Sequence, residues 1–226
     1  MKIGVLLSGC GVYDGVEIQE AVLTLLAIEE MGDEAVCIAV DANQHHVINH
    51  INGEELPESR NMLIEAARIS RGKIHNIRAI QPVDIDALVI PGGFGSAKNF
   101  SSWAFHGADG TILPEVKLLI VNLINVGKPI AALCVSPVVL ALAMKNNSIP
   151  LSLSIGSTNE DSPYDILGFQ EGIKQTGAAI QDKNVSEILI DHDNKIVCAP
   201  CYMMDASILD VRLNVQSAML ALKQLV

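Results

Sequence analysis

Cys134 is the side chain whose position in the sequence best suits it to nucleophilic chemistry. It ends a short apolar run at 129–133, and a segment of helical character begins at Pro137. A side chain at a sharp turn from strand to helix projects into a site, as in a nucleophile elbow. The N-terminus of the following helix favours the thiolate, the reactive form of cysteine. The alternative is a buried core cysteine, a common state of unpaired cysteine.

A glycine-rich segment, PGGFG, follows another apolar run at 86–91. Such a segment can supply the backbone hydrogen-bond donors that a nucleophilic reaction needs. Gly92 and Gly93 permit unusual backbone angles and a close approach of other groups. Their N–H groups, with that of Val135, are the predicted donors to an oxyanion formed when Cys134 attacks a carbonyl. The alternative is an ordinary glycine turn.

Two further features invite chemical interpretations. Cys198 and Cys201 form a C-x-x-C motif, which occurs in redox and zinc sites. No second such pair completes a zinc site, and two incidental cysteines near a strand end are the alternative. His106 lies in the long segment after PGGFG, from which it could approach the cleft. No metal site is predicted.

The elements that must position these residues alternate between buried strands and amphipathic helices. This alternation predicts a three-layer α/β/α sandwich with a mostly parallel sheet, in which sites form at the carboxyl ends of the strands. No linker composition interrupts the chain, so residues 1–226 are predicted to form a single domain. Strands are predicted at 2–8, 34–40, 86–91 and 129–133, helices at 17–31, 61–71, 113–126, 137–145 and 204–225, and a hairpin at 186–199.

Composition excludes several classes of function. Of 226 residues 50% are hydrophobic, which rules out a disordered chain, and the formal net charge of −11 disfavours nucleic acid as a partner. The longest uncharged stretch, 129–144, is shorter than a membrane span. Five cysteines at irregular spacing do not form a disulfide framework. We therefore expect a cytoplasmic protein that binds no membrane.

Several blocks of sequence resemble the ThiJ/PfpI superfamily, which has a flavodoxin-like, class I glutamine amidotransferase-like fold. The similarity is strongest to its subgroup of enhancing lycopene (isoprenoid) biosynthesis proteins, ElbB. These blocks are KIGVLLSGCGVYDGVEIQEAV (2–22), VINHINGE (47–54), RNMLIEAARISRG (60–72), DALVIPGGFGSAKN (86–99), GKPIAALCVSP (127–137) and DNKIVCAPCYM (193–203).

The resemblance implies an elbow cysteine at Cys134 and a carboxylate on the first helix that approaches its sulfur. The matching glutamate is Glu20, and Glu17, about one helical turn earlier, is the reserve candidate. A glutamate beside sulfur implies a raised carboxyl pKa, so that the carboxyl donates a hydrogen bond. A solvated helix residue is the alternative for Glu20. Further pocket candidates are Cys10, Asp14, Ser136 and His106, although Ser136 is better explained as a helix cap.

The sequence departs from the proteases and amidotransferases of the superfamily, because Cys134 is followed by Val135 and no histidine stands in the elbow. This departure argues against peptidase activity and against glutamine hydrolysis. The resemblance instead implies a glutathione-independent glyoxalase of the glyoxalase III type. It would convert a small 2-oxoaldehyde, glyoxal or methylglyoxal, to glycolate or lactate through a Cys134 hemithioacetal, without a cofactor.

Two other functions stay open. Deglycation of protein or nucleotide adducts would use the same sulfur. A non-catalytic redox-stress sensor would use an accessible thiolate and would affect isoprenoid biosynthesis indirectly, since no aspartate cluster suited to Mg²⁺ and pyrophosphate is present. The superfamily resemblance also implies a homo-oligomer, most often a dimer.

Overall fold

Nine strands and seven α-helices form over the described residues, which are all of 1–226 in this computed structural model. The strands are β1 (Lys2–Leu7), β2 (Glu34–Ala39), β3 (His75–Asn76), β4 (Ala87–Ile90), β5 (Ile130–Leu133), β6 (Ser152–Leu153), β7 (Ala179–Ile180), β8 (Leu189–Asp191) and β9 (Ile196–Ala199). The helices are α1 (Ile18–Glu30), α2 (Met62–Ile69), α3 (Trp103–His106), α4 (Pro114–Asn125), α5 (Pro137–Met144), α6 (Ile166–Gln175) and α7 (Ile208–Gln224).

Seven of the strands form one sheet in the order β3-β2-β1-β4-β5-β9-β8. Every pair in it is parallel except β8 with β9, which form the predicted hairpin. The chain winds in one direction from β1 to β3 and in the other from β4 to β9. The carboxyl ends of β1, β4, β5 and β9 are therefore adjacent, and in open α/β sheets this edge is where ligands bind.

The central strands are buried along almost their whole length. All residues of β4, β5 and β9 are buried, as are those of β1 after Lys2. Strands read as continuous apolar runs when helices cover both faces of a parallel sheet. The predicted mostly parallel α/β fold with flanking helices is confirmed.

The elements that the sequence did not predict are short or poor in pattern. β3, β6 and β7 have two residues each, which are too few to show an alternating hydrophobic pattern in the sequence. α6 contains Gly168 and Gly172, which lower helix propensity. Its signal is the N-cap Asp165, whose Oδ1 accepts a hydrogen bond from the Gly168 N–H at 3.0 Å.

None of the helices combines the length and the apolar character that a membrane crossing requires.

Candidate active site

Cys134 occupies a strained turn between β5 and α5. Its φ is +55°, a left-handed conformation that costs a non-glycine residue roughly 1–2 kcal/mol. The turn is held because the Cys134 N–H donates to the carbonyl of Ala199 at 2.8 Å, one position beyond the β5–β9 pairing, and the Ser136 N–H donates to Leu133 at 2.9 Å. Pro137 then begins α5. The local geometry is that of the expected nucleophile elbow.

Glu20 stands beside this cysteine, inside the molecule. It lies in the first turn of α1 and has no exposed surface. Its Oε2 accepts a hydrogen bond from the Gly92 N–H at 2.9 Å, and its Oε1 accepts one from the Tyr202 N–H at 3.3 Å. The carboxyl also lies within hydrogen-bonding reach of the Cys134 thiol. The structure thus brings together the two residues that the sequence singled out.

Burial dominates the proton affinity of this pair. It raises the pKa of Glu20 to about 8, and the charge of nearby Glu17 acts in the same direction. Burial also raises the pKa of the Cys134 thiol well above its ordinary value, and the Glu20 charge adds to this effect. A neutral Glu20 matches the expectation from the family resemblance. The expected low-pKa thiolate is wrong, because desolvation of the sulfur outweighs the helix N-terminus.

Two backbone N–H groups lie at the Cys134 sulfur. The N–H groups of Gly93 and Val135 act on the Cys134 sulfur and lower the pKa of its thiol. The Gly92 N–H, in contrast, is already donated to Glu20. The prediction of oxyanion donors at all three positions is therefore corrected to Gly93 and Val135.

The glycines of this loop are required by close contacts. A Cβ on Gly92 would stand 2.5 Å from Glu20 Oε2 and 2.8 Å from Cys134 Sγ. Gly93 has a φ of +95°, and a Cβ there would meet the Gly15 carbonyl oxygen at 2.5 Å. Because any side chain would push the carboxyl and the thiol apart, the loop can close over the pair only with glycine at 92.

Ser136 neither caps α5 nor lines a pocket. Its hydroxyl is fully buried, donates to the Pro91 carbonyl at 2.8 Å and pairs with the Ser96 hydroxyl at 2.8 Å. No side-chain capping bond is present at the start of α5. The predicted cap is wrong because the carbonyl that precedes Gly92 competes for the hydroxyl, which ties the elbow to the glycine loop.

Glu17, the reserve candidate, supports Glu20. It is the N-cap of α1, and its Oε2 accepts the Glu20 N–H at 2.6 Å. Burial raises its own pKa. Its backbone N–H donates to the Gly92 carbonyl at 2.9 Å, so it also fixes the glycine loop.

The other pocket candidates lie elsewhere. Burial raises the pKa of the Cys10 thiol, and the nearby charges that act on it are those of Glu65, Arg68 and Asp14, not that of Cys134. Asp14 is buried, and its Oδ2 accepts a hydrogen bond from the Ile48 N–H at 2.7 Å.

His106 lines a separate open cavity of about 430 Å³ together with His45 and Phe105. Cys10, Asp14 and His106 are therefore not brought to the thiol.

Three residues at the site were missed by sequence reasoning about catalysis. Cys201 is fully buried and its sulfur faces the Cys134 N–H, while Tyr202 donates its N–H to Glu20. Tyr164 is half-buried near the pair, where burial and the charges of Cys134 and its neighbours raise the pKa of the phenol to about 12. The signal in the sequence was that Cys201 follows a buried strand, as Cys134 does.

The described chain contains no group of three or more histidine, cysteine, aspartate or glutamate side chains arranged to hold a metal ion.

Several known proteins are similar to this chain in sequence or in structure. A human protein, glutamine amidotransferase-like class 1 domain-containing protein 3, mitochondrial, is 38% identical over 211 residues, which are 92% of this chain and 76% of that protein. A crystal structure of an isoprenoid biosynthesis protein with an amidotransferase-like domain from Ehrlichia chaffeensis superposes with a TM-score of 0.90. It is 34% identical, covering 100% of this chain and 99% of that one.

A ThiJ/PfpI domain protein from Brachyspira murdochii shares the fold at 13% identity, with a TM-score of 0.57 over 99% of this chain and 96% of that one. No protein-family profile matches the chain. The human relative is named as mitochondrial, as are its rat and zebrafish counterparts. The expectation of a cytoplasmic protein is therefore wrong, since composition carries no information on the compartment beyond its redox state.

The buried carboxyl generates a prediction about stability. The pKa of Glu20 is raised in the folded protein. Its contribution to the free energy of unfolding is therefore fully present below about pH 4.5 and is lost as the pH rises toward about 8. Between about pH 5 and about pH 7, the unfolding free energy of the wild type should fall by roughly 2–3 kcal/mol relative to that of Glu20→Gln. Urea unfolding at each pH measures this difference.

Glu29→Gln on the exposed side of the same helix is the matched control and should track the wild type. A Glu20→Gln curve parallel to the wild type across this range would show that the carboxyl ionises normally.

Proposed function

This chain belongs to the glutamine amidotransferase-like class 1 domain proteins of the ThiJ/PfpI superfamily, and on that premise we propose that it is a glutathione-independent glyoxalase acting on small 2-oxoaldehydes. The observation that carries the proposal is the contact between the Cys134 thiol and the fully buried Glu20, and this burial raises the carboxyl pKa to about 8. A pKa near the working pH suits a group that must both give and take a proton.

The first step joins the thiol to the aldehyde. Cys134 Sγ bonds to the aldehyde carbon, neutral Glu20 gives a proton to the carbonyl oxygen, and the thiol proton replaces it on the carboxyl. The product is a hemithioacetal, and no net charge is created in the buried site. The N–H groups of Gly93 and Val135 lie at the sulfur, so they can hold the oxygen as negative charge develops on it.

The second step moves hydrogen between adjacent carbons. Glu20 first releases its proton to solvent, which a pKa of about 8 permits in a fraction of molecules near neutral pH. The carboxylate then takes the proton from the carbon bound to sulfur and returns it to the neighbouring carbon. The hydroxyl proton of the hemithioacetal passes to the second carbonyl oxygen, so the hemithioacetal becomes a thioester while that carbonyl becomes an alcohol, and no external oxidant is required. Water then cleaves the thioester, which releases glycolate or lactate and restores the Cys134 thiol.

Access to the site favours a small substrate over a macromolecular one. Cys134 retains only 6% of its surface exposed, and Glu20 retains none. Phe94, within the PGGFG loop, packs its ring against Tyr164 in an edge-to-face contact with centroids 5.6 Å apart. A two- or three-carbon aldehyde needs less opening of this enclosure than a glycated protein side chain does.

The surroundings of the thiol also weigh against other reactions. No histidine is among the groups that act on Cys134, so the Cys-His pair of an amide hydrolase is lacking. A fast redox sensor needs an accessible thiolate, whereas burial keeps this thiol protonated.

Turnover should depend on the elbow cysteine. Purified wild-type protein should consume methylglyoxal without added thiols and form lactate, and Cys134→Ser should reduce the rate to background, since an alcohol is a far weaker nucleophile. Cys10→Ser, which changes a cysteine away from the site, should retain wild-type turnover. Lactate and residual aldehyde are quantified by chromatography. Equal turnover in wild type and Cys134→Ser would refute the proposal.

Proton transfer should depend on Glu20. Glu20→Gln keeps the size of the side chain but cannot take up a proton, so kcat should fall by about 10²–10⁴-fold. Deuterium on the aldehyde carbon should slow the wild type, because that C–H bond breaks in the second step. Glu29→Gln serves again as the control. A Glu20→Gln variant with unchanged kcat would transfer the base role to another group, with Glu17 as the next to test.

A further inference from the structure

Cys201 is a second buried thiol next to Cys134, and the proposed reaction leaves it unused. β5 and β9 are parallel neighbours with Leu133 opposite Ala199, and the two cysteines follow one and two residues later. Neighbouring strands lie about 4.8 Å apart, and a disulfide spans about 4.4–6.8 Å between Cα atoms. The two cysteines therefore lie at neighbouring strand ends, one residue out of register, and the Cys201 sulfur lies within hydrogen-bonding reach of the Cys134 N–H.

Hydrogen bonds of the neighbouring backbone hold Cys134 and Cys201 close to the carboxyl group of Glu20. Gly92 on one side and Tyr202 on the other donate their N–H groups to the two oxygens of Glu20. The Cys201 N–H donates to Asn214 Oδ1 at 2.9 Å, and its sulfur faces the Cys134 N–H. Glu20 thus stands beside both thiols.

Both cysteines also adopt left-handed backbone conformations, with φ of +55° at Cys134 and +47° at Cys201. Each costs a non-glycine residue roughly 1–2 kcal/mol, and such strain concentrates at functional sites. Cys198, the other half of the C-x-x-C motif, lies opposite Ala132 in the β5–β9 pairing, and burial, not Cys201, raises the pKa of its thiol. The relevant partner of Cys201 is accordingly the elbow cysteine.

We propose that Cys134 and Cys201 form a reactive dithiol that hydroperoxides convert to an intramolecular disulfide. In the first step the Cys134 sulfur takes the terminal oxygen of the hydroperoxide, giving a sulfenic acid and an alcohol or water. In the second, the Cys201 sulfur displaces the hydroxyl as water and the S–S bond forms. The hydroperoxide is reduced by two electrons, and an added dithiol returns both cysteines to thiols.

Cys201 determines the product of oxidation rather than its speed. Burial raises the pKa of both thiols, so the first step is slow near neutral pH. Once a sulfenic acid exists, a neighbouring thiol competes with a second oxidant molecule. A cysteine held in position reacts at a high effective concentration, so the disulfide should form before the irreversible sulfinic acid.

Peptide mapping after hydrogen peroxide treatment tests the proposal. The folded wild type, Cys201→Ser and Cys198→Ser are oxidised, alkylated and digested with trypsin without reduction. Cys134 lies on the peptide 118–145, because Pro129 blocks cleavage after Lys128, and Cys201 lies on the peptide 196–212 together with Cys198. The Cys198→Ser variant therefore assigns any cross-link between these peptides.

The expected result is a dithiol-reversible cross-link in the wild type and in Cys198→Ser. Cys201→Ser should lack it and should accumulate at least about tenfold more sulfinic acid at Cys134. Absence of the cross-link from the wild type, or its loss in Cys198→Ser, would overturn the proposal. The readout does not use turnover, so it holds for a protein that is inactive on 2-oxoaldehydes.

Discussion

The burial of one carboxyl group, Glu20, is the constraint around which the site is organised. A charged carboxylate without solvent costs several kcal/mol, and a buried group avoids this cost by keeping its proton. Glu20 has no exposed surface, two backbone N–H donors and a thiol for neighbours. Each N–H contributes about 1 kcal/mol, less than desolvation removes, so the neutral form prevails at neutral pH.

This carboxyl joins segments that are far apart in the sequence. It belongs to α1, its Oε2 is bound by the loop after β4, and its Oε1 is bound by the turn after β9. The elbow after β5 lies between these two loops in the sheet order. The parallel sheet is what makes the arrangement possible, because it gathers four strand ends at one edge, where a single side chain reaches three of the loops.

Much of this architecture could be predicted from the sequence. The apolar runs that became β1, β4, β5 and β9 identify buried strands, and Cys134 stands out because a cysteine ends such a run before a proline. Glu20 could not be separated from a solvated helix residue by its own pattern, and it required the resemblance to a family. Its burial depends on Gly92 and Tyr202, residues 72 and 182 positions away, which no local pattern connects.

The errors have the same physical origin. A helix N-terminus lowers the pKa of a thiol, but its effect on Cys134 could be judged only once the depth of burial was known. Ser136 had the right type and position for a cap, yet the Pro91 carbonyl, brought close by the β4–β5 pairing, takes its hydroxyl. The C-x-x-C spacing of Cys198 and Cys201 gave no indication that the sheet sets Cys201 beside Cys134. In each case packing between segments distant in the sequence outweighs a local preference.

The protonation state of Glu20 is the most direct test of this account. Infrared difference spectra between the wild type and Glu20→Gln, recorded as the pH is raised, isolate the carbonyl stretch of this one carboxylic acid. The account predicts a protonated band at neutral pH that converts to carboxylate near pH 8. A carboxylate signal at neutral pH, with protonation only near the ordinary pKa of glutamate, would contradict it.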